Sequence, residues 1–371
     1  MKISFVREKL VGALGVVLRM VSTQVTLPIL ANIKLTCDEG RLKISATDLE
    51  IGIETWIGAK ITKEGSITVP AKLFFEYLSS IDEEKIDLET KDNKIQITGQ
   101  KTKTQIKGLS SSDFPLIPQI KDTIVNLEIN TQKLKQAIIN CSFACAQDET
   151  RPMLTGILFK ITKDNYIFTT TDSYRLCETK IKHNQKNIKE IQIIIPKRTM
   201  NELARIIDDA NEEVKILVGE NQISFDFGQK YFISRLIEGS FPEYEQIIPK
   251  KFITTLIVNK TNLINRLKTA SLFSRDSANN IKIEVSKDKN KLLISSYSQQ
   301  IGDNESQLDI EDIKGKNIDF SVNAGYILDV LNIIKKDKVI LKILNKESPI
   351  FISDSKESNY FCVIMPLRQE K

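Results

Sequence analysis

The feature that most constrains this chain is a recurrence at about one-third intervals: a helical opening, a hairpin, a short second helix after a strand, and closing strands. Residues 7–21 place Leu10, Leu14, Val17, Leu18 and Val21 on one apolar stripe with helical spacing. Residues 131–145 repeat the stripe with Leu134, Ile138, Cys141 and Cys145, and residues 261–273 with Leu263, Leu267 and Ala270. Leu10, Leu134 and Leu263 lie about 125 residues apart, so the period is domain-sized and not that of a solenoid. Asn130 and Asn259 stand where N-caps of the second and third opening helices belong.

The hairpin that follows has alternating apolar and polar positions, the mark of strands with one buried face. Its first copy runs through Ala46-Thr47-Asp48 into Ile51-Gly52-Ile53, and its second through Thr170-Thr171-Asp172 into Arg175-Leu176-Cys177. The third copy, ending Ser295-Ser296-Tyr297, lacks the Thr-Asp step. Short helices are expected over 72–78, 197–207 and 326–333, two of them preceded by Pro70 and Pro196 near the first turn, where proline's fixed φ is tolerated. Asp113-Phe114-Pro115 and Ser240-Phe241-Pro242 close the first two copies at matching places. An α+β chain of three similar domains follows, residues 1–122, 128–250 and 251–371, each with two helices packed on antiparallel sheets of about eight strands. No Gly/Ser-rich linker separates them, so tight junctions are expected.

Catalytic chemistry is scarce. The chain has one histidine, His183, read as a solvated loop residue, which argues against Ser-His-Asp and His-metal sites. Phosphate-loop, dinucleotide and nucleophile-elbow motifs are missing, and no cofactor or metal is expected. Asp48 and Asp172 occupy equivalent turns, where hydrogen bonding within the turn is the simpler reading. The five cysteines, Cys37, Cys141, Cys145, Cys177 and Cys362, form no Cys-x-x-Cys pair and read as reduced, buried thiols of a cytoplasmic protein. No apolar run is long enough to cross a membrane, and Arg19 interrupts the apolar stretch 10–21 that resembles a signal segment.

The formal net charge is only +5, too mild to point to nucleic acid by itself. The distribution says more. Lys133, Gln136 and Asn140 share one helical face, as do Arg198, Asn201 and Arg205, with Lys197 at the helix start. Arg266 and Lys268 decorate the third opening helix, and Lys9 and Arg19 the first. Basic and amide residues on equivalent helices suit a phosphate backbone held without base reading. From residues alone, a repeat-built interaction scaffold and an enzyme using Asp48 or Asp172 remain open beside a DNA-binding protein.

Several stretches carry a resemblance. They are Thr26-Leu27-Pro28-Ile29-Leu30, Ala46-Thr47-Asp48-Leu49-Glu50, Val69-Pro70-Ala71-Lys72-Leu73-Phe74, Arg151-Pro152-Met153-Leu154-Thr155-Gly156 and Thr171-Asp172-Ser173-Tyr174-Arg175-Leu176. Phe241-Pro242-Glu243-Tyr244, Asn323-Ala324-Gly325-Tyr326-Ile327-Leu328-Asp329 and Val363-Ile364-Met365-Pro366-Leu367-Arg368 continue in the same order. Together they span almost the whole chain, which resembles the bacterial sliding clamps, the β subunits of DNA polymerase III. The resemblance implies three clamp domains and a non-catalytic, head-to-tail homodimer closed into a ring. The ring encircles double-stranded DNA without sequence preference. It tethers the replicative DNA polymerase, the clamp loader and other proteins carrying a clamp-binding peptide, and confers processivity in replication.

The resemblance also implies sites. A partner-peptide pocket would use Leu154, Thr171, Tyr174, Arg175, Leu176, Pro242, Ile247, Val363, Ile364, Met365, Pro366 and Leu367 as a slot for Leu and Phe anchors. Arg151, Asn323, Tyr326 and Arg368 would form its polar rim. DNA-facing positions would be Gln24, Lys133, Gln147, Lys197, Arg198, Arg205 and Arg266. For the dimer interface, Lys101, Lys103 and Lys107 around Ile106 face Asp303 and Glu305, with Asp309, Glu311 and Asp312 nearby and Leu272 and Phe273 as an apolar centre. Three departures stand out: Ser173 where the family often has glycine, Gln24 for an arginine, and the small Ala278 at a pocket edge.

Overall fold

The computed structural model describes residues 1–21, 27–38, 40–208, 212–355 and 358–367. Among them are six α-helices: α1 (Arg7–Val17), α2 (Ala71–Ser80), α3 (Thr131–Ser142), α4 (Lys197–Ile206), α5 (Lys260–Leu272) and α6 (Ala324–Ile333). They fall where the recurrence predicts, an opening and a second helix in each third. Asn130 Oδ1 accepts from the Lys133 N–H and Asn259 Oδ1 from the Asn262 N–H, both at 3.0 Å, so both asparagines cap as expected. Asn323 caps α6 in the same way, accepting from the N–H groups of Gly325 and Tyr326. Pro70 sits at the N-cap of α2, one step before the first turn, where its missing N–H interrupts no helical bond. α1 ends at Val17 and tightens into a 3-10 turn, Leu18–Met20, so the stripe predicted to Val21 is shorter in the fold.

The chain divides into two compact units, Met1–Lys135 with Asn201–Leu236, and Gln136–Met200 with Ile237–Lys371. The first unit holds a five-stranded antiparallel sheet in the order Lys60–Lys63, Lys2–Val6, Lys85–Lys91, Lys94–Thr98, Lys103–Lys107. It also holds an eight-stranded sheet: Val125–Asn130, Glu213–Val218, Gln222–Asp226, Lys230–Arg235, Ile51–Gly58, Arg41–Thr47, Asn32–Asp38 and Gly65–Pro70. α1 buries Leu10, Leu14 and Val17 and packs on α2 and on the strands Arg41–Thr47 and Ile51–Gly58. Burying one such leucine contributes on the order of 2 kcal/mol, so this stripe ties helix to sheet.

The second unit holds a nine-stranded sheet: Ile191–Pro196, Gly156–Ile161, Asn165–Thr171, Arg175–Lys182, Tyr360–Ile364, Ile350–Ser353, Lys338–Ile343, Thr254–Asn259 and Asp312–Lys314. Its four-stranded sheet runs Gly302–Asp309, Lys291–Ser298, Asn280–Ser286, Ile318–Asn323. Both large sheets cross the places where the sequence breaks into thirds. Lys230–Arg235 pairs with Ile51–Gly58, and Arg175–Lys182 pairs with Tyr360–Ile364. Continuous hydrogen-bonded strands explain why no linker is needed there.

Two sequence expectations change. Cys177 and Cys362 are opposite residues of neighbouring strands and are joined as a disulfide, with Cα atoms 4.1 Å apart. Directly opposed antiparallel residues come this close without any backbone movement. Cys37, Cys141 and Cys145 are free and buried as expected, and burial pushes the Cys141 and Cys145 thiols up to about 12. His183 lies in a loop as expected, just after the strand Arg175–Lys182, but it is half-buried and not free in solvent. Its ring stacks on Tyr166 at 4.1 Å between centroids, and Nε2 lies 2.9 Å from the Thr162 carbonyl oxygen.

One carboxylate organises the free edge of the five-stranded sheet. Glu83 accepts from the N–H groups of Lys101 and Gln100, at 2.9 and 3.0 Å, and from the Thr102 hydroxyl. A Cβ at Gly99 would stand 2.4 Å from Glu83 Cδ, so only glycine lets the carboxylate reach into this turn. The Lys101 N–H, then the Gln100 N–H, hold the Glu83 carboxyl below its ordinary pKa. Its contribution is therefore complete above the ordinary carboxylate range and is lost as pH falls through the lowered folded value. Glu83→Gln is expected to lower the amide protection factors of residues 99–107 at neutral pH and to flatten the loss of protection on acidification. Unchanged protection there would count against this role.

Candidate binding sites

The Thr-Asp turns have the same hydrogen bonds in both copies. Asp48 Oδ1 accepts from the N–H groups of Glu50 and Ile51, and Asp172 Oδ1 from those of Tyr174 and Arg175, all at 2.8–3.0 Å. The preceding threonines do likewise: Thr47 Oγ1 donates to the Ile51 carbonyl and Thr171 Oγ1 to that of Arg175. The turns stand up as local devices, and each leaves a residue in the left-handed region, Leu49 at φ +78° and Ser173 at +79°. Ser173 thus preserves the turn in which glycine was expected.

From the second turn the chain enters the strand Arg175–Lys182. Arg175 pairs across to Ile364, Leu176 to Val363, and the Met365 N–H donates to the Tyr174 carbonyl at 2.8 Å. Sheet pairing thus brings together two predicted pocket segments that are far apart in sequence. Leu154, Leu176 and Val363 join Leu158, Phe241 and Tyr244 in one buried apolar cluster, flanked by Met153 and Ile248. Thr171 and Ile364 are buried as well, so these residues make a floor. The accessible surface belongs to Tyr174, Ile247 and Met365, which are 57%, 47% and 37% exposed, and to exposed Pro242. Pro366 and Leu367 are half-buried, with the Leu367 N–H donating to the Ser321 carbonyl. Arg368 lies outside the described residues.

Arg175 is fully engaged. Nε donates to Asp172 Oδ2 at 3.0 Å, Nη1 to Asp329 Oδ2 at 2.5 Å, and Nη2 to the Phe143 carbonyl at 3.2 Å. Its guanidinium also lies 4.6 Å from the Tyr326 ring centroid and 5.3 Å from that of Phe143. Tyr326 in turn stacks beside Tyr174 at 6.5 Å, and burial raises its hydroxyl pKa. Asn323 commits its oxygen to the cap of α6 and its Nδ2 to the carbonyl of Ala278, so its part is to hold the first turn that carries Tyr326. Ala278 itself adopts φ +54°.

Sequence reasoning missed Phe143, Asp329, Glu178 and Tyr244. The Tyr244 hydroxyl donates to buried Glu178 Oε2 at 2.6 Å and accepts from Thr169 Oγ1 at 3.0 Å, and Lys180 Nζ lies 3.0 Å from Glu178 Oε1. Burial, with the Glu178 charge beside it, raises the Tyr244 pKa further than any ordinary phenol. The network pins the loop of Pro242 and Ile247 to the pocket strand. A cavity of about 310 Å³ opens beside Pro242, lined by Leu158, Lys160, Gln192 and residues 241–246.

The predicted nucleic-acid residues lie on helices or loops with solvent access. Lys133, Gln147, Arg198, Arg205 and Arg266 are exposed and Lys197 is half-buried, while Gln24 lies outside the described residues. Arg205 pairs with Glu202, which also lies 3.9 Å from Arg19, so part of that positive charge is answered locally.

The predicted interface segments are free sheet edges. Lys103–Lys107 ends the five-stranded sheet and Gly302–Asp309 the four-stranded one. On the first edge Lys103, Gln105 and Lys107 are exposed; on the second Asp303, Glu305, Gln307 and Asp309 are. Ile106 departs from its expected place at the interface: it is buried beside Ile95 in the sheet's own core, because alternation turns it away from the lysine face. Leu272 is about half exposed and Phe273 half-buried at the end of α5.

Family profiles match the chain in three consecutive pieces. They are the N-terminal domain of the DNA polymerase III beta subunit over residues 1–118, its central domain over 128–243 and its C-terminal domain over 245–368. The beta sliding clamp of Staphylococcus epidermidis is 29% identical over 378 residues, covering 99% of each chain. That of Bacillus subtilis is 29% identical over 377 residues, covering 99% of this chain and 100% of the relative. Among solved structures, the Bacillus subtilis DNA polymerase sliding clamp superposes with a TM-score of 0.95 at 28% identity, covering 100% of both chains. A Pseudomonas aeruginosa sliding clamp bound to griselimycin gives 0.94 at 25% identity with the same coverage.

Proposed function

The chain belongs to the DNA polymerase III beta subunit family, the sliding clamps of DNA replication, and we propose that two copies close head to tail into a ring around double-stranded DNA. The observation that carries the ring is the pair of free sheet edges with opposite charge, Lys103–Lys107 and Gly302–Asp309. Antiparallel pairing of one copy's first edge with the other's second completes both sheets. It sets Lys103 and Lys107 against the acidic face of Asp303 and Glu305, with Lys101 and the α5 end, Leu272 and Phe273, alongside. The three proposed domains keep the boundaries read from sequence, 1–122, 128–250 and 251–371.

A clamp needs no catalytic group and no tight grip. Weak, sequence-independent phosphate contacts, on the order of 10⁻⁴–10⁻⁶ M, suffice when escape is blocked by topology, and they leave sliding unhindered. Lys133, Gln147, Lys197, Arg198, Arg205 and Arg266 are the proposed contacts. The apolar floor under Tyr174, Pro242, Ile247 and Met365 is the proposed seat for the Leu and Phe anchors of peptides on the replicative polymerase, the clamp loader and other partners. The described residues include no helix long and apolar enough to cross a membrane. The proposed place of work is the cytoplasm. With its replicative polymerase and clamp loader on a primed template, the protein is expected to lengthen the product made per polymerase binding event. An unchanged length distribution would contradict the reading.

A further inference from the structure

The floor of the pocket does not end at Val363. Sheet register continues it as one straight row: Leu176 lies opposite Val363, Val363 opposite Phe351, Phe351 opposite Lys342, Lys342 opposite Thr255 and Thr255 opposite Lys314. Directly opposed residues share one face of a sheet, so the whole row projects from the side that carries the pocket floor. The other side is core, where Leu341 and Ile343 meet Leu263 of α5 and Ile327 of α6. Neighbouring strands stand about 4.8 Å apart, which sets Lys342 about 10 Å and Lys314 about 20 Å from Val363.

Aromatic rings hold the first of these lysines. Phe351 stacks on Phe361 at 4.9 Å between centroids, and Phe252 leans on Phe351 at 5.5 Å. Lys342 Nζ lies 5.0 Å from the Phe351 centroid and 5.6 Å from that of Phe252. Lys342 is half-buried, while Lys250 and Lys251, just before Phe252, and Lys314 are exposed. Among the described residues none of these four lysines forms an ion pair. Lys160 and Lys180, by contrast, hold Glu245 and Glu178. Asp312 stands on the same face two residues from Lys314, so the far end of the row is partly neutralised.

We propose that Lys342 and the lysines around it form a docking strip for an acidic segment of a partner, continuous with the segment whose Leu and Phe anchors occupy the pocket. This rests on the pocket reading above. An extended chain advances about 3.3 Å per residue, so a carboxylate about three residues from the anchor reaches Lys342 and one about six residues away reaches Lys314. The charge selects an anion, and the rings decide its class. Phe351 is already taken up by Phe361 and Lys342, which leaves it no room to stack bases, so a peptide suits the strip better than single-stranded DNA. An ammonium held between rings loses less freedom on pairing than a free surface lysine. The strip is open to solvent, so salt weakens the contact.

The test is fluorescence anisotropy on the full chain with three peptides built on one Leu-Phe core. One has neutral flanks, one carries Asp at the third and sixth positions before the core, and one carries Asp at the third and sixth positions after it. At low salt one acidic peptide is expected to bind about three- to fivefold tighter than the neutral one, and which one it is gives the direction of the chain across the sheet. The advantage is expected to vanish in Lys342→Gln, to persist in Lys342→Arg and to fade at high salt, with the neutral peptide bound equally by all three proteins. Weakening of every peptide together in Lys342→Gln would mark a merely structural role and overturn the proposal. Equal binding of the three peptides to the unsubstituted protein would overturn it and leave the pocket standing. Failure of every peptide to bind would overturn both. A labelled oligothymidine whose binding is lost in Lys342→Gln, with the peptides bound equally, would give the strip to nucleic acid and overturn the peptide reading.

Discussion

Met365→Ala is expected to weaken binding of a Leu-Phe peptide by about 30-fold or more, the effect of removing an interface anchor worth about 2 kcal/mol, while leaving the fold and the dimer intact. The strand Tyr360–Ile364 ends one residue earlier, with Val363 and Ile364 buried in the sheet. Met365 is the first residue past that strand to offer its side chain to solvent, and its backbone is fixed by the bond to the Tyr174 carbonyl. Truncation therefore strips the wall of the slot and spares its floor. Deleting residues 363–371 would be a poorer experiment, because it removes two core residues from a nine-stranded sheet. Calorimetric titration with the peptide checks the prediction, and an affinity within twofold of the original would remove Met365 from the pocket.

The second large effect concerns the ring joint. Replacing Lys103 and Lys107 together by glutamate is expected to raise the dimer dissociation constant by about 100-fold, since like charges set against each other cost several kcal/mol. Both side chains are exposed in the single chain, so folding is not at stake. The complementary protein, Asp303→Lys with Glu305→Lys, is expected to fail alone in the same way. Mixing the two makes a ring in which both joints are complementary, one as in the original protein and one with glutamate and lysine in the exchanged order. Sedimentation at several concentrations reads the result. Dimers of unchanged strength in both variants would place the joint elsewhere.

Much of this was legible in the residues. The apolar stripes of α1, α3 and α5 and the asparagine caps needed only helical periodicity and capping chemistry, and the Thr-Asp turns needed only the short reach of their side chains. What the sequence hid depends on pairing across long distances. Cys177 and Cys362 are 185 residues apart, and nothing in their spacing announces that two strands lay them face to face. The same register seats Leu176 against Val363, so the pocket floor is a product of sheet order and not of any local motif. Asp172, three residues before Arg175, was legible only as the acceptor of its own turn, not as a partner of the Arg175 guanidinium. Asp329 and Phe143 reach the same guanidinium from α6 and from just beyond α3, and no periodicity connects them. Ile106 was misjudged for a simpler reason: among lysines it looks like an interface residue, and only the pleat shows that it faces inward.

The central claim is topological, and one measurement meets it directly. The protein is loaded by its clamp loader onto nicked circular DNA, isolated with it by gel filtration, and the circle is then cut once. Retention on the circle at a salt concentration that abolishes phosphate contacts, followed by release on cutting, is the result a closed ring predicts. Loss at high salt from the uncut circle, or retention indifferent to the cut, would contradict it.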